Sequence, residues 1–456
     1  MQLEVIILAA GQGTRMKSNL PKVLHPLAGR PLLQHVIETA LSLEPSAVHV
    51  VIGHGAELVQ QQLAHFPVTW VTQHEQLGTG HGVLQAVPAL AKDSTVLVLY
   101  GDVPLIGADT LAALVAVATK GPALLTAQVG DPAGYGRILR NASGELVGVV
   151  EHKDATEEQR EIAEINTGLL AAPARDFIEY LPRVGNNNKQ GEYYLPDILS
   201  MAVADGQTVA SCQAASEVEV LGVNDRVQLN QLEREYQRRQ AEGLMREGVA
   251  VADINRLDIR GSLSCGQDVS IDVNVVFEGV VSLGDGVVIG PNCVLRDVSV
   301  ADGSTVHAMS HLQEARIGED CNVGPFARLR PGTVLARGAR VGNFVETKKA
   351  EIGVGSKVNH LSYIGDCVMG DKVNIGAGTI TCNYDGVNKH KTDIGAGVFV
   401  GSNSTLVAPL QIAEQGFVAA GSTVTKAVGQ QELAVSRARQ RNIEGWKRPT
   451  RQQGED

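Results

Sequence analysis

The first part of the chain alternates short apolar runs with stretches in which apolar residues recur at helical spacing. The apolar runs, which are typical of buried strands, lie at 5–10, 48–52 and 96–100. Amphipathic helices are predicted at 32–43 and 110–119. This alternation predicts a Rossmann-like α/β domain whose mostly parallel sheet carries helices on both faces. Ligands of such a sheet bind at the carboxyl ends of its strands.

A strongly polar segment, residues 225–247, separates this pattern from the next one. Leu229, Leu232 and Tyr236 recur in it at helical spacing. We therefore expect a linker helix that spaces two domains and joins neither core. The predicted domains are 1–224, 225–247 and 248–456.

Beyond the linker, aliphatic residues recur every six positions. The longest series are Ile271, Phe277, Leu283, Ile289 and Leu295; Ile317, Val323, Leu329, Leu335 and Val341; Ile352, Val358 and Ile364; and Ile394, Val400, Leu406, Ile412, Val418 and Val424. This hexapeptide repeat predicts a parallel β-helix, in which stacked short strands share one aliphatic core. In families that carry the repeat the coil is left-handed, an exception to the usual crossover rule. A chance alternation in a β-sandwich would not keep this register over so many units.

The repeat is interrupted in two places. Between Ile375 and Ile394 the segment TITCNYDGVNKHKT breaks the six-residue register, and from Gln430 the tail leaves the repeat and becomes basic. Solenoid proteins commonly place binding residues on loops that are inserted between their strands. The inserted loop is therefore a candidate binding element.

Composition and charge narrow the classes of function. A chain of 456 residues fits two or three domains, so it has room for more than one activity. A formal charge of −11 argues against nucleic-acid binding, because clustered Lys and Arg supply that affinity. No run reaches membrane-spanning length, and the run at 5–10 lacks the basic flank of a signal peptide. Six cysteines without a C-x-x-C pair predict a reduced, cytoplasmic chain without a thiolate metal site.

The first apolar run leads directly into a turn with the sequence AAGQGTRM, residues 9–16. Glycines between a strand and a helix let backbone N–H groups approach phosphate oxygens, and the helix N-terminus adds partial positive charge. Arg15 and Lys22 bring cations close to this turn. Asp102 follows the run at 96–100, where a carboxylate beside phosphates is a good Mg²⁺ ligand. From these residues alone, a plain connecting turn and a helix-capping Asp remain alternatives.

Histidine can take up a proton near neutral pH, so a histidine of the repeat region is a candidate general base. The histidines of the repeat region are His307, His311, His360 and His390. His360 lies inside the repeat beside polar neighbours. From the residues alone it is either an ordinary surface histidine or such a base.

Many segments resemble those of one family of bacterial enzymes and follow that family's order. They are LAAGQGTRM, LPKVLHPLAG, QLGTGH, YGDVPL, GYGRI, VEHKDAT, EINTG, GEYYLPDI and GVNDR in the first half, and GPFARLRPG, VGNFVETKKA, NHLSYIGD, VNIGAGTITCNYDG, VFVGS and AAGSTV in the second. The chain is thus similar to the bifunctional N-acetylglucosamine-1-phosphate uridylyltransferase/glucosamine-1-phosphate acetyltransferases. The resemblance implies that the second half acetylates glucosamine-1-phosphate with acetyl-CoA and the first half transfers UMP from UTP. The product would be UDP-N-acetylglucosamine, a precursor of peptidoglycan and lipopolysaccharide.

The resemblance implies roles for residues of the first half. Leu8, Ala9, Ala10 and Gly11 would contact the nucleotide together with Tyr100 and Gly101, Arg15 and Lys22 would bind its phosphates, and Gln73, Gly78 and Thr79 would bind the uracil. Gly136, Glu151 and Asn166 would hold the sugar, and Asp102 and Asn224 would bind Mg²⁺. Such a site needs no covalent nucleophile, because positioning and charge neutralisation drive phosphoryl transfer.

In the second half the resemblance makes His360 the general base. Arg330, Lys348, Tyr363 and Asn374 would hold glucosamine-1-phosphate, and Ala377, Asn383, Tyr384, Ser402, Ala420 and Arg437 would line the acetyl-CoA site, with a backbone N–H near Ala377 as oxyanion donor. The family's sites lie between the subunits of a homotrimer, so a homotrimer is implied. Arg439, Arg441 and Lys447 are favoured as a solvated tail over coenzyme A contacts.

Three other functions are compatible with parts of the pattern. The β-helix of a single-activity sugar nucleotidyltransferase would serve only oligomerisation or regulation, and a scaffold protein would keep both folds without chemistry. His360, the inserted loop and the length of the repeat argue against the single-activity transferase. The pair Asp102 and Asn224, together with His360, argues against the scaffold. A β-helical zinc enzyme is disfavoured because the scattered His307 and His311 do not suggest a three-ligand site.

Overall fold

The computed structural model describes residues 2–451, and the chain divides after Arg239 into two compact units. The strands of the first unit are β1 (Leu3–Ala9), β2 (Pro26–Leu27), β3 (Arg30–Pro31), β4 (Ala47–Ile52), β5 (Thr69–Thr72), β6 (Thr95–Tyr100), β7 (Ala123–Gln128), β8 (Gly136–Arg140), β9 (Leu146–Val150), β10 (Glu164–Pro173) and β11 (Ala210–Gln213). The α-helices are α1 (Leu32–Leu41), α2 (Ala56–Leu63), α3 (Thr79–Ala86), α4 (Ala108–Val117), α5 (Glu157–Arg160), α6 (Ala174–Tyr180), α7 (Asp197–Ala204) and α8 (Arg226–Arg246). Short 3₁₀ helices lie at Thr14–Met16, Lys22–Leu24, Val87–Ala89, Leu181–Arg183 and Glu217–Val220.

The main sheet of the first unit has the order β11-β7-β10-β6-β1-β4-β5, and the β8–β9 hairpin pairs with β10. Strands β5, β4, β1 and β6 are parallel, whereas β10 runs antiparallel to both β6 and β7. Val5, Ile6 and Ile7 of β1 are fully buried, because helices cover both faces of the central strands. Leu8 of β1 lies beside Tyr100 of β6, so the carboxyl ends of these strands meet at one edge.

Helix α8 corrects one expectation. Leu232, which is 2% exposed, packs with Met16 and Leu27 in a hydrophobic cluster of the first unit. Near the other end of the helix, Ala241 and Leu244 belong to the core of the second unit. The expectation that the polar segment joins neither core is therefore wrong. A few buried apolar residues attach the helix to each core, although most of its residues are polar.

The second unit is a coil of short parallel strands that wind over three faces, with long strands turning from one face to the next. One face holds Ala250–Val251, Ser270–Ile271, Val288–Ile289, Thr305–Val306, Asn322–Val323, Arg340–Asn343, Lys357–His360, Asn374–Ile375, Phe399–Val400, Phe417–Val418 and Leu433–Ala434. The second holds Leu257–Cys265, Val275–Leu283, Val294–Arg296, His311–Gln313, Arg328–Leu329, Glu346–Ile352, Tyr363–Met369, Ile380–Cys382, Thr405–Val407 and Thr423–Val424. The third is completed by Ser299–Val300, Ala315–Ile317, Thr333–Leu335, Thr392–Ile394 and Leu410–Ile412.

The core of this unit consists of the residues that the six-residue period selects. Every position in the series from Ile271 to Val424 is at most 4% exposed. Successive coils align in parallel register, as in Val323 beside Val341 beside Val358. The predicted fold class, an α/β domain followed by a left-handed hexapeptide β-helix, is confirmed. Among residues 2–451, no helix is both long and apolar enough to cross a membrane.

Two candidate active sites

A cleft of about 520 Å³ opens where β1 and β6 end. Ten of the predicted site residues line it: Leu8, Ala9, Ala10, Gly11, Lys22, Gln73, Gly78, Thr79, Tyr100 and Asp102. The lining also includes residues that were not predicted, namely Gln12, Gly13, Thr14, Val23, Gln76, Gly82 and Glu192. The structure thus gathers segments from Leu8 to Glu192 at the edge where an α/β sheet binds its ligands.

The glycine turn differs from the expectation in one respect. It leads into a single 3₁₀ turn, Thr14–Met16, rather than an α-helix, so the expected helix-dipole contribution is absent here. Gly13 adopts φ +64°, and a Cβ on it would lie 2.6 Å from Cβ of Lys22. Only glycine therefore allows the turn to approach Lys22 this closely.

The two predicted metal ligands lie beside each other. The backbone N–H of Val223 donates to the carbonyl oxygen of Asp102 at 2.9 Å, which places Asn224 next to Asp102. Lys22 forms an ion pair with Asp102, and their side chains are 15% and 19% exposed. Arg15 donates through Nη2 to Oδ1 of Asn224 at 2.7 Å. Each predicted metal ligand is thus bonded to one of the two predicted phosphate-binding cations.

The predicted uracil-binding residues line the same cleft. Gln73 is 5% exposed, and its amide donates to the carbonyl oxygen of Gly78 at 3.3 Å and contacts Nδ1 of His81 at 3.0 Å. The hydroxyl of Thr79 accepts a hydrogen bond from the backbone N–H of Leu195 at 3.1 Å. These bonds fix the amide and hydroxyl groups in directions that suit recognition of a polar heterocycle.

The predicted sugar-binding residues converge on β8, β9 and β10. Asn166 pairs in register with Gly136, and a Cβ on Gly136 would lie 3.0 Å from Oε1 of Glu151. Burial raises the pKa of the Glu151 carboxyl, as do the negative charges of Asp197 and Asp154, while a hydrogen bond from Asn166 lowers it. Glu151 also lines a second cavity of about 420 Å³.

Arg15, Gly101, Gly136, Asn166 and Asn224 lie outside the lining of both cavities. Within residues 2–451 there is no group of three or more His, Cys, Asp and Glu side chains arranged to hold a metal ion. The pair Asp102 and Asn224 supplies two oxygen donors, which leaves further coordination positions for phosphate oxygens and water, the pattern that Mg²⁺ prefers.

In the second unit, His360 ends the strand Lys357–His360 and lies in register with Asn343 of the preceding coil. The Nδ1 atom of His360 is 3.1 Å from Oδ1 of Asn343. In the tautomer that donates from Nδ1, Nε2 keeps its lone pair and can accept a proton. Sequence reasoning missed Asn343, because its position one coil before His360 becomes a signal only once the register of the coils is known.

Three cations cluster on the neighbouring face. Lys389 is the largest cause of a lowered pKa of Lys348, and the positive charge of Arg330 also contributes. Arg330 donates through Nη1 to Oε1 of Glu346 at 2.7 Å. Lys389 was not predicted, because its position depends on how the inserted loop folds back. The cluster is suited to a phosphate group.

The two remaining residues of the predicted sugar-phosphate set lie on strands near His360. Tyr363 begins the strand that follows His360, in register with Glu346. Asn374 lies on the next coil, in register with Lys357. Asn343 and Asn374 therefore lie on the two strands that pair with the strand of His360, and Tyr363 begins the next strand along the chain.

The predicted acetyl-CoA residues fall into two groups. Ala377, Ser402 and Ala420 form a column on successive coils, and Arg437 donates to the carbonyl oxygen of Ala420 at 2.7 Å. Asn383 and Tyr384 instead begin the inserted loop, beyond the strand Ile380–Cys382. The side chain of Asn383 donates to Asp366, and Tyr384 pairs with Lys389 across the loop. The column therefore follows the strands of the first face, whereas the loop follows a strand of the second face.

Comparison with known proteins adds to this geometry. Residues 5–166 match the family model of the MobA-like NTP transferase domain, and 259–352 match that of the GMPPB C-terminal domain. The chain is 59% identical to the Bifunctional protein GlmU of Alkalilimnicola ehrlichii over 98% of its length and 96% of that protein. It is 58% identical to the protein of the same name from Marinobacter nauticus, over 98% and 99%, and 54% identical to that from Pseudoalteromonas atlantica, over 99% and 100%.

Proposed function

Because the chain belongs to the bifunctional GlmU family, we propose that its first unit carries the uridylyltransferase site and its second unit the acetyltransferase site. The chain is an enzyme of UDP-N-acetylglucosamine synthesis with both activities, and it uses a nucleoside triphosphate and small-molecule substrates. The observation that carries this conclusion is identity of 54–59% to GlmU proteins over nearly the whole chain. The single-activity and scaffold alternatives are set aside on the same ground.

In the first unit, a phosphate oxygen of N-acetylglucosamine-1-phosphate attacks the α-phosphorus of UTP. A new P–O bond forms, the bond between the α-phosphorus and the bridging oxygen breaks, and pyrophosphate leaves. Lys22 and Arg15 neutralise the phosphates, while Gln73 and Thr79 hold the uracil. Glu151 and Asn166 orient the sugar. The residues position the reactants, and none of them forms a covalent intermediate.

Asp102 and Asn224 are the proposed ligands of Mg²⁺. The adjacency of a carboxylate and an amide oxygen at the carboxyl edge of the sheet supports this assignment. A bound Mg²⁺ would stabilise negative charge on the phosphates during the transfer. Since Lys22 bonds to Asp102 and Arg15 to Asn224, both cations have to leave these oxygens, and the phosphates of an arriving nucleotide are their natural new partners.

In the second unit, Nε2 of His360 takes the proton from the amine of glucosamine-1-phosphate as nitrogen attacks the thioester carbonyl of acetyl-CoA. The C–N bond forms, the C–S bond breaks, and coenzyme A leaves. Asn343 holds the His360 ring through Nδ1, and Arg330, Lys348 and Lys389 bind the phosphate. Tyr363 and Asn374 complete the sugar-phosphate site.

The backbone N–H of Ala377 is the proposed donor to the oxyanion. Within residues 2–451 it takes part in no hydrogen bond, so it is available to the substrate. The column that holds Ala377 would contact acetyl-CoA through Ser402, Ala420 and Arg437. Asn383 and Tyr384 would contact acetyl-CoA from the inserted loop.

A homotrimer would bring the column and the inserted loop of neighbouring copies together. A ladder of exposed apolar side chains supports this proposal: Met309, Phe326, Phe344 and Leu361 are each 49% or more exposed on successive coils. The rings of Phe326 and Phe344 stack with centroids 5.2 Å apart. Exposed apolar ladders of this kind are typical of surfaces that another copy covers. Sedimentation equilibrium of the wild-type chain tests the trimer.

Location in the cytoplasm is part of the proposal, and it is supported by the thiols. Cys212, Cys265, Cys293, Cys321, Cys367 and Cys382 are all free. Free cysteines are common where glutathione and thioredoxin keep thiols reduced.

Two assays on the purified protein test the assignment of the sites. One follows release of coenzyme A from acetyl-CoA with glucosamine-1-phosphate, and the other follows release of pyrophosphate from UTP with N-acetylglucosamine-1-phosphate. Asp102→Asn should remove the second activity and spare the first, whereas His360→Ala should do the reverse. Loss of both activities in either variant would contradict separate sites.

A further inference from the structure

Arg137 is one of the most deeply buried charged residues of the first unit. It lies on β8, is 1% exposed, and leads the fully buried side chains in volume. None of the salt bridges formed within residues 2–451 includes it. Burial lowers the pKa of the Arg137 guanidinium, as does the charge of Arg160, while Asp131 raises it. A guanidinium without a paired carboxylate is costly to bury, so its other contacts must compensate.

Those contacts are acceptors in three separate segments. Nη1 donates to the carbonyl oxygen of Tyr135, just before β8. Nε and Nη2 donate to the carbonyl oxygen of Arg160 at 3.4 and 3.3 Å, at the end of α5. Nη2 also lies 3.5 Å from Nδ1 of His152, in the turn after β9. One side chain thus ties the beginning and the end of the segment 152–160 to the start of β8.

The backbone of Arg137 lies between the predicted sugar-binding residues. Arg137 pairs with Val150 on one side and with Ile165 on the other. The residue after Val150 is Glu151, and the residue after Ile165 is Asn166. The carbonyl oxygen of Glu151 itself accepts hydrogen bonds from the turn that contains His152. Movement of this turn would therefore move the Glu151 carboxylate.

We propose that Arg137 is a positioning residue for the sugar-phosphate substrate of uridylyl transfer. Its guanidinium fixes the turn at His152 and the end of α5, and the turn fixes Glu151 at the sugar. The proposal rests on the assignment of Glu151 to sugar binding. Arg137 is in the lining of neither cavity, and Lys22 and the uracil-binding residues lie on other segments, so we expect nucleotide binding to be independent of it.

The test compares Arg137→Met with Arg140→Met in steady-state uridylyl transfer. Arg140 lies three residues later on the same strand, but it forms a bidentate, more exposed ion pair with Glu164. We expect Arg137→Met to lower kcat/KM for N-acetylglucosamine-1-phosphate by about 100-fold, mainly through KM, as a displacement near 1 Å can do. The KM for UTP should stay unchanged. Arg140→Met should leave both KM values unchanged.

A second variant keeps the test decisive if Arg137→Met folds poorly. Arg137→Lys retains the charge but offers donors from a single atom, so it should recover part of the lost affinity for the sugar phosphate. A purely structural role predicts a different pattern, with lower thermal stability and equal loss for both substrates. The proposal is overturned if Arg137→Lys has lower thermal stability and loses activity equally for both substrates. It is also overturned if Arg137→Met folds and its KM for N-acetylglucosamine-1-phosphate is unchanged.

Glu151→Gln separates failure of this inference from failure of the sugar-site assignment. If Glu151→Gln leaves the KM for the sugar phosphate unchanged, the assignment of Glu151 is wrong and Arg137 loses its target. If Glu151→Gln raises that KM while Arg137→Met and Arg137→Lys do not, the site stands and the positioning role of Arg137 is wrong.

Discussion

Replacing Lys22 by methionine should have two opposite effects on the first site. Lys22 bonds to Asp102, so a divalent cation that binds Asp102 has to displace it. Methionine removes that competitor, and metal binding should become tighter. Methionine also removes a cation from the phosphates, so uridylyl transfer should become slower. Few structural defects would raise one quantity and lower the other.

The magnitudes follow from the burial of the pair. Both side chains are less than one-fifth exposed, so solvent screens their interaction only in part. A hydrogen bond between charged groups contributes about 1.5–3 kcal/mol. At about 1.4 kcal/mol per factor of ten, its loss should tighten Mn²⁺ binding about 10-fold to 100-fold. Loss of one donor to transition-state charge should lower kcat about 100-fold to 1000-fold.

Electron paramagnetic resonance of free Mn²⁺ measures the first effect on the full chain without UTP, and pyrophosphate release measures the second. Lys17→Met is the matched control, because it removes the same charge from the same loop, and no salt bridge of residues 2–451 includes Lys17. Acetyl transfer should be unchanged in both variants. The reasoning is refuted if Lys22→Met binds Mn²⁺ no more tightly than Lys17→Met. Unchanged Mn²⁺ binding in Asp102→Asn would instead refute Asp102 as a ligand.

Three further predictions concern both sites. His360→Ala should slow coenzyme A release by about 100-fold to 10,000-fold. Asn343→Ala should slow coenzyme A release less, and pyrophosphate release should be unchanged in both variants. If Asn343→Ala releases coenzyme A at the wild-type rate, Asn343 does not orient His360. Because burial is the main cause that raises the pKa of the Glu151 carboxyl, ionised Glu151 destabilises the folded state at pH values above the ordinary pKa of 4.5. Glu151→Gln should therefore raise Tm in calorimetry at pH 7. Well below pH 4.5 the carboxyl is protonated in both states, so a gain in Tm that persists there would contradict this cause. Gly13 has φ +64° and lies against Lys22, so Gly13→Ala should lower the free energy of unfolding by about 1–2 kcal/mol and should slow uridylyl transfer but not acetyl transfer. Denaturant unfolding and the two turnover assays measure these effects. An unchanged free energy of unfolding together with unchanged turnover would show that the turn tolerates a Cβ.

The β-helix was the easiest part of the chain to predict. Each coil repeats the same local choice of an inward aliphatic residue, so the period is visible in a short window of sequence. Leu329, Val358 and Leu406 are all fully buried as the period requires. Helix α8 was harder, because burial of Leu232 depends on partners near the other end of the unit.

The candidate sites were also predicted only in part. The sequence shows that the glycine turn, Lys22 and Asp102 are residue types that suit phosphate chemistry, but it does not show that Lys22 contacts Asp102. Asn343 and Lys389 were missed, since each acts through a neighbour on another coil or across a loop. The sequence gave no indication that Arg137 is buried, because an arginine on a strand is expected at the surface.

The sequence by itself determined the two units, the aliphatic ladder from Ile271 to Val424, and the residue types available for chemistry, because these depend on local period and side-chain chemistry. Only the tertiary structure decided that Lys22 meets Asp102, that Asn343 faces His360, and that β10 runs antiparallel beside β6. These contacts join segments separated by a whole coil or by tens of residues. Their formation depends on how the chain packs as a whole, which no short window of sequence contains.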